Sequence, residues 1–544
     1  MTQRILLAQR VRTLEDSSDP RADAVVVDDD RIVEAGRLSD LRSRHDVPVD
    51  DRFAEQVLLP GFIDPHLHPS MAAVLLQMHF TTVVSWDLPW TDVGPVRDQT
   101  EFDARLASLI AETPRGEPIF VWGHHPRWHG DIARHALNLM SEDHPIIVWH
   151  RGYHSLITND AALTWMGVDL DEAERHPQID LDRGAFYENG MAFANQLLTK
   201  HTLAPDRFRG GLERMRAVIH AGGHTTIGDA AFGMYRPDQE WEDLQAVMER
   251  PDTPFRIDLM PALFAVGKSD LAARVQAIKE FPQRNTHRLR FGNHVKMLAD
   301  GAFFAELMQL QEPGYLDGHH GEWLTPPEQF REIAAAAWDA GFNLHVHTTG
   351  DLGVELALST LEELQARAPR VDHRFTFEHF GISTPSQVQR IAAQGAHVSA
   401  NVYYVHELAP MYAERVLGLE RAATMSRLGS LERSGIPFAL HSDFTMAPAK
   451  PLFNAWVAAT RVCENGQVMG IDERTSLDAA MRAITIDAAR MLSREDEIGS
   501  IAPGKTADFT VVSADPWEVG AEGLRDIDVV ATVFEGNAFP LPSA

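Results

Sequence analysis

Between residues 60 and 445, short apolar runs alternate with longer stretches whose hydrophobic positions recur every three or four residues. That pattern predicts strands joined by helices, the layout of a parallel α/β barrel or a doubly wound sheet. The strand-like runs are 62–68, 225–229, 255–263, 294–299, 343–347, 374–379, 397–401 and 438–443. Eight such strands suit a (β/α)8 TIM-like barrel. Helical patterns over 329–340, 353–366 and 385–394 fall between several of them. One interval breaks the rhythm. Residues 69–224 separate the first strand from the second, where a βα unit needs far fewer. Apolar and aromatic runs within it (83–90, 118–122 and 145–149) predict a folded insertion, placed at 86–215, over the open end of the barrel.

The two ends of the chain follow a different pattern. Residues 1–59 and 499–544 carry short strands broken by turn residues, as in the hairpin-like stretch from Ala24 to Gly36. Neither end has enough strands to close a core, so together they predict one small β-sandwich, leaving 60–498 to the barrel. No internal repeat or low-complexity tract interrupts this plan.

Composition narrows the class. A chain of 544 residues is expected to hold two or three structural units. No segment approaches the roughly 20 apolar residues of a membrane span. Residues 1–15 lack the long apolar run of a secretory signal. The single cysteine, Cys463, excludes an intrachain disulfide and a thiolate-rich metal site, and a cytoplasmic location is expected. A formal net charge of −29 argues against nucleic acid as a partner and is read as a solubility feature. The chain also holds 26 histidines, so only their positions can carry an argument.

Those positions are informative. The run Leu59-Pro60-Gly61-Phe62-Ile63-Asp64-Pro65-His66-Leu67-His68 ends an apolar strand in two imidazoles separated by one residue. The side-chain period of a strand is two, so both rings leave the same face, as half of a site for a divalent metal. Lys296 lies inside the apolar strand Asn293 to Ala299, where lysine is costly unless paired or neutralised. It can snorkel from an edge strand, act as a Schiff-base nucleophile, or add CO2 to become a carbamate bridging two metal ions. The neighbouring histidines favour the carbamate. His347, His379 and Asp443 end three later strands. Five strand ends thus carry ligand-type residues in the order His-x-His, Lys, His, His, Asp, and barrel enzymes keep their catalytic groups at strand C-termini.

Through this series the chain resembles the amidohydrolase superfamily, and within it the amidohydrolase-3 branch of YtcJ-like proteins. Pro60 to Asp64, Val295-Lys296 with Asp300-Gly301, Phe342 to Asp351, Ser442-Asp443 and Ile498 to Asp508 carry the rest of the resemblance. It implies a metal-dependent hydrolase. His66, His68 and Asp443 would hold one metal, and His347 and His379 a second, with carbamylated Lys296 bridging. Zinc suits nitrogen and oxygen ligands, and one or two ions are compatible with the superfamily. Asp443 would take the proton of the attacking water and pass it to the leaving group.

Other assignments rest on the insertion and the loops. Tyr153-His154-Ser155 resembles the branch's Gly-His-Ser segment, with Tyr153 in place of its usual small or acidic residue. His154 is assigned to catalysis or substrate binding, and Glu188 to the same cleft. Asp300 and Asp351 join the substrate side, where their expected work is to orient ligands or loops. The cluster His124, His125 and His129 is read as a loop lining a pocket. His220, His224, His345 and His441 are read as structural. The expected reaction is hydrolysis of a C–N bond in an amide, N-acyl or N-formyl amine, with N-substituted formamide deformylation as the specific activity the branch suggests. Trp86, Trp90, Trp122, Trp128 and Trp149 point to an apolar or aromatic small-molecule substrate, or else fill the core of the insertion. The rivals are a cyclic amide, carbamate or ester hydrolase with the same site, and a Schiff-base lyase using Lys296. A homodimer is compatible with the sequence, which fixes no oligomeric state.

Overall fold

The computed structural model describes residues 3–15, 19–234, 236–265 and 270–542. It divides into two compact units, one of residues 1–69, 216–301 and 307–544, the other of residues 70–215 and 302–306.

Eight strands of the first unit coincide with the apolar runs: β1 (Phe62–Leu67), β2 (His224–Phe232), β3 (Arg256–Pro261), β4 (His294–Leu298), β5 (Asn343–Thr348), β6 (Thr376–His379), β7 (His397–Ala400) and β8 (Phe438–Leu440). They lie in two parallel sheets. One runs β1-β2-β3 and ends on the short strand Leu289–Phe291; the other runs β4 to β8 in chain order. Ala262, just past β3, forms a parallel bridge with Lys296 of β4. Beyond β8, the backbone N–H of Asp443 donates to the carbonyl of His66 at 3.0 Å. The sheets therefore touch along both flanks.

Strands covered on two faces read as continuous apolar runs, and every residue of β2 is buried. The strands stop where the backbone turns left-handed. The expected strand 374–379 begins only at Thr376 because Arg374 has φ +49°, and 438–443 ends at Leu440 ahead of Asp443 at φ +51°. Helices Pro327–Asp339, Asp351–Arg367 and Pro385–Gln394 occupy the expected intervals. The last of these has a full set of end signals. The Thr384 side chain accepts from the N–H of Gln387, Gln387 answers to the N–H of Thr384, Pro385 opens the first turn and Gly395 closes the helix at φ +68°.

Both chain ends enter one seven-stranded sheet, in the order Asn537–Pro540, Val529–Phe534, Phe509–Val512, Val49–Pro60, Arg4–Val11, Ala24–Asp28, Arg31–Gly36. Alternation assigns its two faces. Val25 and Val27 join Leu6, Leu58, Phe509, Val511 and Val533 in one cluster, while Ala24 and Val26 pack with Ile5 and Leu41 on the other side. Strand Val49–Pro60 leads straight into β1 through Gly61, where a Cβ would lie 2.0 Å from the Thr225 hydroxyl, so only glycine fits. Arg256 of β3 is buried against Asp508 and, at 3.2 Å, Glu535, which ties the eight strands to this sheet.

The second unit has a six-stranded sheet, with helix Gln99–Glu112 laying Phe102, Leu106 and Leu109 against Ile119, Val121, Ile146 and Val148. Trp86, Trp122 and Trp149 are buried here, Trp86 and Trp122 meeting edge-to-face. The Arg151 guanidinium lies 4.9 Å from the Trp122 ring. Three of the five tryptophans proposed for a substrate pocket thus serve as core. No helix among the described residues is long and apolar enough to cross a membrane.

Candidate metal centre

The strand ends bring His66, His68, Lys296, His347, His379 and Asp443 into one cluster. Nε2 of His68 lies 2.9 Å from Oδ1 of Asp443, and Nε2 of His66 lies 3.8 Å from the same oxygen. Nζ of Lys296 is 3.3 Å from Nε2 of His66. The His379 ring is centred 4.6 Å from that of His66 and 4.4 Å from that of His347. Ligand atoms of His66, His68 and Asp443 all lie within 4.8 Å of one another, as do those of His66, His379 and His441.

Local backbone conformation makes this convergence possible. His379 has φ +68° and Asp443 φ +51°, a region that costs a residue with a Cβ about 1–3 kcal/mol. Asp64 supports the second of these turns. Its carboxylate accepts from the N–H of His66 at 3.1 Å and, across to the segment after β8, from the N–H of Ser442 at 3.0 Å and from the Ser442 hydroxyl. Burial pushes the Asp64 carboxyl up to about 7, against the pull of these donors.

The strand pattern did not identify Glu378. Strict alternation puts neighbours 378 and 379 on opposite faces, but the left-handed turn at His379 lets both enter the cluster. Oε2 of Glu378 lies 2.6 Å from Nδ1 of His66 and Oε1 lies 2.5 Å from Nδ1 of His345. His294 extends the row, its Nδ1 2.9 Å from Nε2 of His345. His441 bridges Ser399, at 2.7 Å, and Nδ1 of His379, at 3.2 Å. His345 and His441, read from the sequence as structural, thus contact the cluster directly or through one residue. A carboxylate next to a strand-end histidine was the only available signal for Glu378.

Electrostatics matches a cation site. Burial drives the pKa of His66 and His379 well below the usual imidazole range, and nearby Lys296 pushes both the same way, leaving lone pairs to donate. Burial also lowers Lys296 to about 8, opposed by Glu378 and Asp443. For Glu378, burial favours the neutral acid, but the positive charge around it and the N–H groups of His345 and His66 hold it well below the carboxylate range. Neutral imidazoles with a carboxylate, and no thiol, form a donor set suited to zinc or a similar divalent ion. The residues fit the group.

The remaining candidates lie elsewhere. Asp300 is buried and accepts from the N–H groups of Thr349, Gly350 and Gln309, so its oxygens hold the loop after β5. Asp351 accepts from the N–H of Gln311 and from Arg421 at 2.8 Å. His154 and Glu188 belong to the second unit and pair with each other, Nδ1 to Oε2 at 3.0 Å. Tyr153 and Glu188 both have positive φ, +59° and +44°. In the histidine-rich loop, His124 and His129 bond the carbonyls of Gly130 and Val96, and Nδ1 of His125 accepts from the N–H of Arg127. His220 and His224 bond the carbonyls of Phe539 and Ile219.

Known proteins resemble this chain over most of its length. The model of the Amidohydrolase family matches residues 54–539. Protein LONG AFTER FAR-RED 3 of Arabidopsis thaliana is 26% identical over 546 residues, covering 96% of this chain and 89% of its own. N-substituted formamide deformylase of Arthrobacter pascens is 24% identical over 550 residues, covering 98% and 97%. An uncharacterised metal-dependent hydrolase from Pyrococcus horikoshii shares the fold, with a TM-score of 0.72 at 18% identity over 96% of this chain and 99% of that one. The match runs from the last strand of the N-terminal segment through the strand-end cluster to the C-terminal strands, and the protein accordingly belongs to the amidohydrolase family.

Proposed function

We propose that the enzyme hydrolyses the C–N bond of an amide, specifically an N-acyl or N-formyl amine, at a divalent metal centre held by the strand-end cluster. The observation that carries this reading is the approach of His66, His68 and Asp443, whose donor atoms lie within 4.8 Å of one another. His347 and His379 would complete a second position. A divalent cation there supplies hydroxide from water near neutral pH and polarises a carbonyl.

The protein's own groups do the rest. A carboxylate oxygen of Asp443 accepts the proton of the attacking water and returns it to the departing nitrogen. The amine of Lys296 adds to CO2, forming an N–C bond and releasing one proton, to give a carbamate among the imidazoles. Within the second unit, His154 remains the candidate for a substrate contact, its Nδ1 paired with Glu188. Asp300 holds the loop that follows His347 at the end of β5, and Asp351 ties Gln311 and Arg421 to the start of the next helix. The contacts along both flanks of the two parallel sheets support a (β/α)8 barrel over 60–498, with the chain ends joined in one composite sheet rather than a sandwich and the folded insertion beginning at residue 70 rather than 86. A small-molecule amide as partner and a cytoplasmic setting, with Cys463 reduced and buried, belong to the same proposal.

The 24% identity to a deformylase across almost the full length of both chains favours N-formyl substrates as the first to try. The test is release of free amine from a panel of N-formyl and N-acyl amines, before and after chelation. Activity lost on chelation and restored by zinc is expected; hydrolysis that persists in the stripped protein would refute the reading.

A further inference from the structure

We infer that Glu378 is a positioning residue for His66, fixing the ring so that Nε2 faces Asp443, and that His345 and His294 fix Glu378 in turn. This deepens the proposed function and rests on it for the presence of a metal.

The geometry is a single buried row. His294, His345, Glu378 and His66 are each at most 4% exposed. Successive polar atoms are 2.9, 2.5 and 2.6 Å apart, from His294 Nδ1 to His345 Nε2, His345 Nδ1 to Glu378 Oε1, and Glu378 Oε2 to His66 Nδ1. A carboxylate only accepts hydrogen bonds, so the proton of a neutral His66 ring must sit on Nδ1. The lone pair is then at Nε2, the nitrogen 3.3 Å from Lys296 Nζ and 3.8 Å from Asp443 Oδ1. Each oxygen of Glu378 is committed to a different histidine, so the carboxylate cannot rotate without breaking one bond. The His441 ring, stacked on His66 at 4.5 Å, closes the other side. An isolated buried carboxylate would be strongly disfavoured; this one lies between two N–H donors and aims one of them at the cluster. The arrangement gives a carboxylate–histidine pair behind a metal-ligand position, which sharpens ring orientation and raises donor strength.

The test is metal affinity together with ring tautomer, in the full-length enzyme. Glu378→Gln keeps the shape but puts an amide where two acceptors are needed. It should bind Zn2+ about 10–100-fold more weakly in a chelator competition and shift the Co2+ d–d spectrum. In 15N-histidine NMR the Nδ1–H signal of His66 should move or vanish. His224→Gln, altering a buried histidine with no contact to the cluster, should leave all three readouts unchanged. If Glu378→Gln does not fold, His345→Gln should give a smaller loss of affinity in the same direction. Wild-type affinity and an unaltered Nδ1–H signal in the variant would overturn the inference. Failure of the wild type to take up metal would instead count against the proposed function, and the NMR signal would still judge the role of Glu378.

Discussion

Asp443 occupies a demanding position. It sits at φ +51°, donates its backbone N–H across a sheet boundary to the His66 carbonyl, and presents its carboxylate to His66, His68 and His379. Asp443→Asn keeps the volume and removes the proton acceptor. Turnover should fall by about 10²–10⁴, measured as amine released under saturating substrate, with secondary structure unchanged. A variant with more than a tenth of wild-type turnover would remove Asp443 from the chemistry. A second residue-scale prediction concerns acid. His224 is fully buried, and burial lowers it to about 4 despite its bond to the Ile219 carbonyl. The unfolded chain takes up a proton near pH 6.5 and the folded protein does not, so stability is full above 6.5 and falls as the pH drops towards 4, by about 1.4 kcal/mol per pH unit from this group. His397, lowered to about 3 by burial, adds in the same sense. Asp300, pushed up to about 7 by burial, acts oppositely over that window. His224→Gln should flatten the decline of Tm between pH 6.5 and 4.5; an unchanged slope would contradict the assignment. Residue types at strand ends made six cluster members legible in the sequence. Glu378 stayed hidden because a single left-handed residue, His379, cancels the alternation by which inward positions are counted.

At the scale of elements, the apolar runs marked each of the parallel strands β1 to β8, because parallel strands buried on both faces have a composition that water does not interrupt. Their ends were less legible. Arg374 and Asp443 adopt positive φ without being glycine, and nothing in their identities announces it. The tryptophans of residues 69–224 illustrate a different limit: a buried aromatic and a pocket aromatic look alike until packing is seen, and Trp86, Trp122 and Trp149 are packed. The junction between β3 and the terminal sheet gives the element-scale prediction. Arg256 and Asp508 are 5% exposed each and pair directly, with Glu535 alongside. Arg256→Met leaves the Asp508 carboxylate buried beside an apolar chain and should destabilise by about 3–5 kcal/mol, read from denaturant midpoints. A change under about 1 kcal/mol would show that the pair does not hold the two elements together.

For the whole molecule, the sequence indicated the joining of the two chain ends, since neither carries enough strands to close a core alone. It did not reveal that both enter one seven-stranded sheet, because register between segments more than 400 residues apart leaves no local mark. At the same scale stands the proposal that side chains from five distant segments gather to hold a divalent ion that performs hydrolysis. Anomalous diffraction at the zinc edge, on crystals of the protein as purified, tests it most directly. The account predicts one or two peaks bonded at about 2.0–2.2 Å to His66, His68 and Asp443. A fully active enzyme with no peak in this cluster would contradict it.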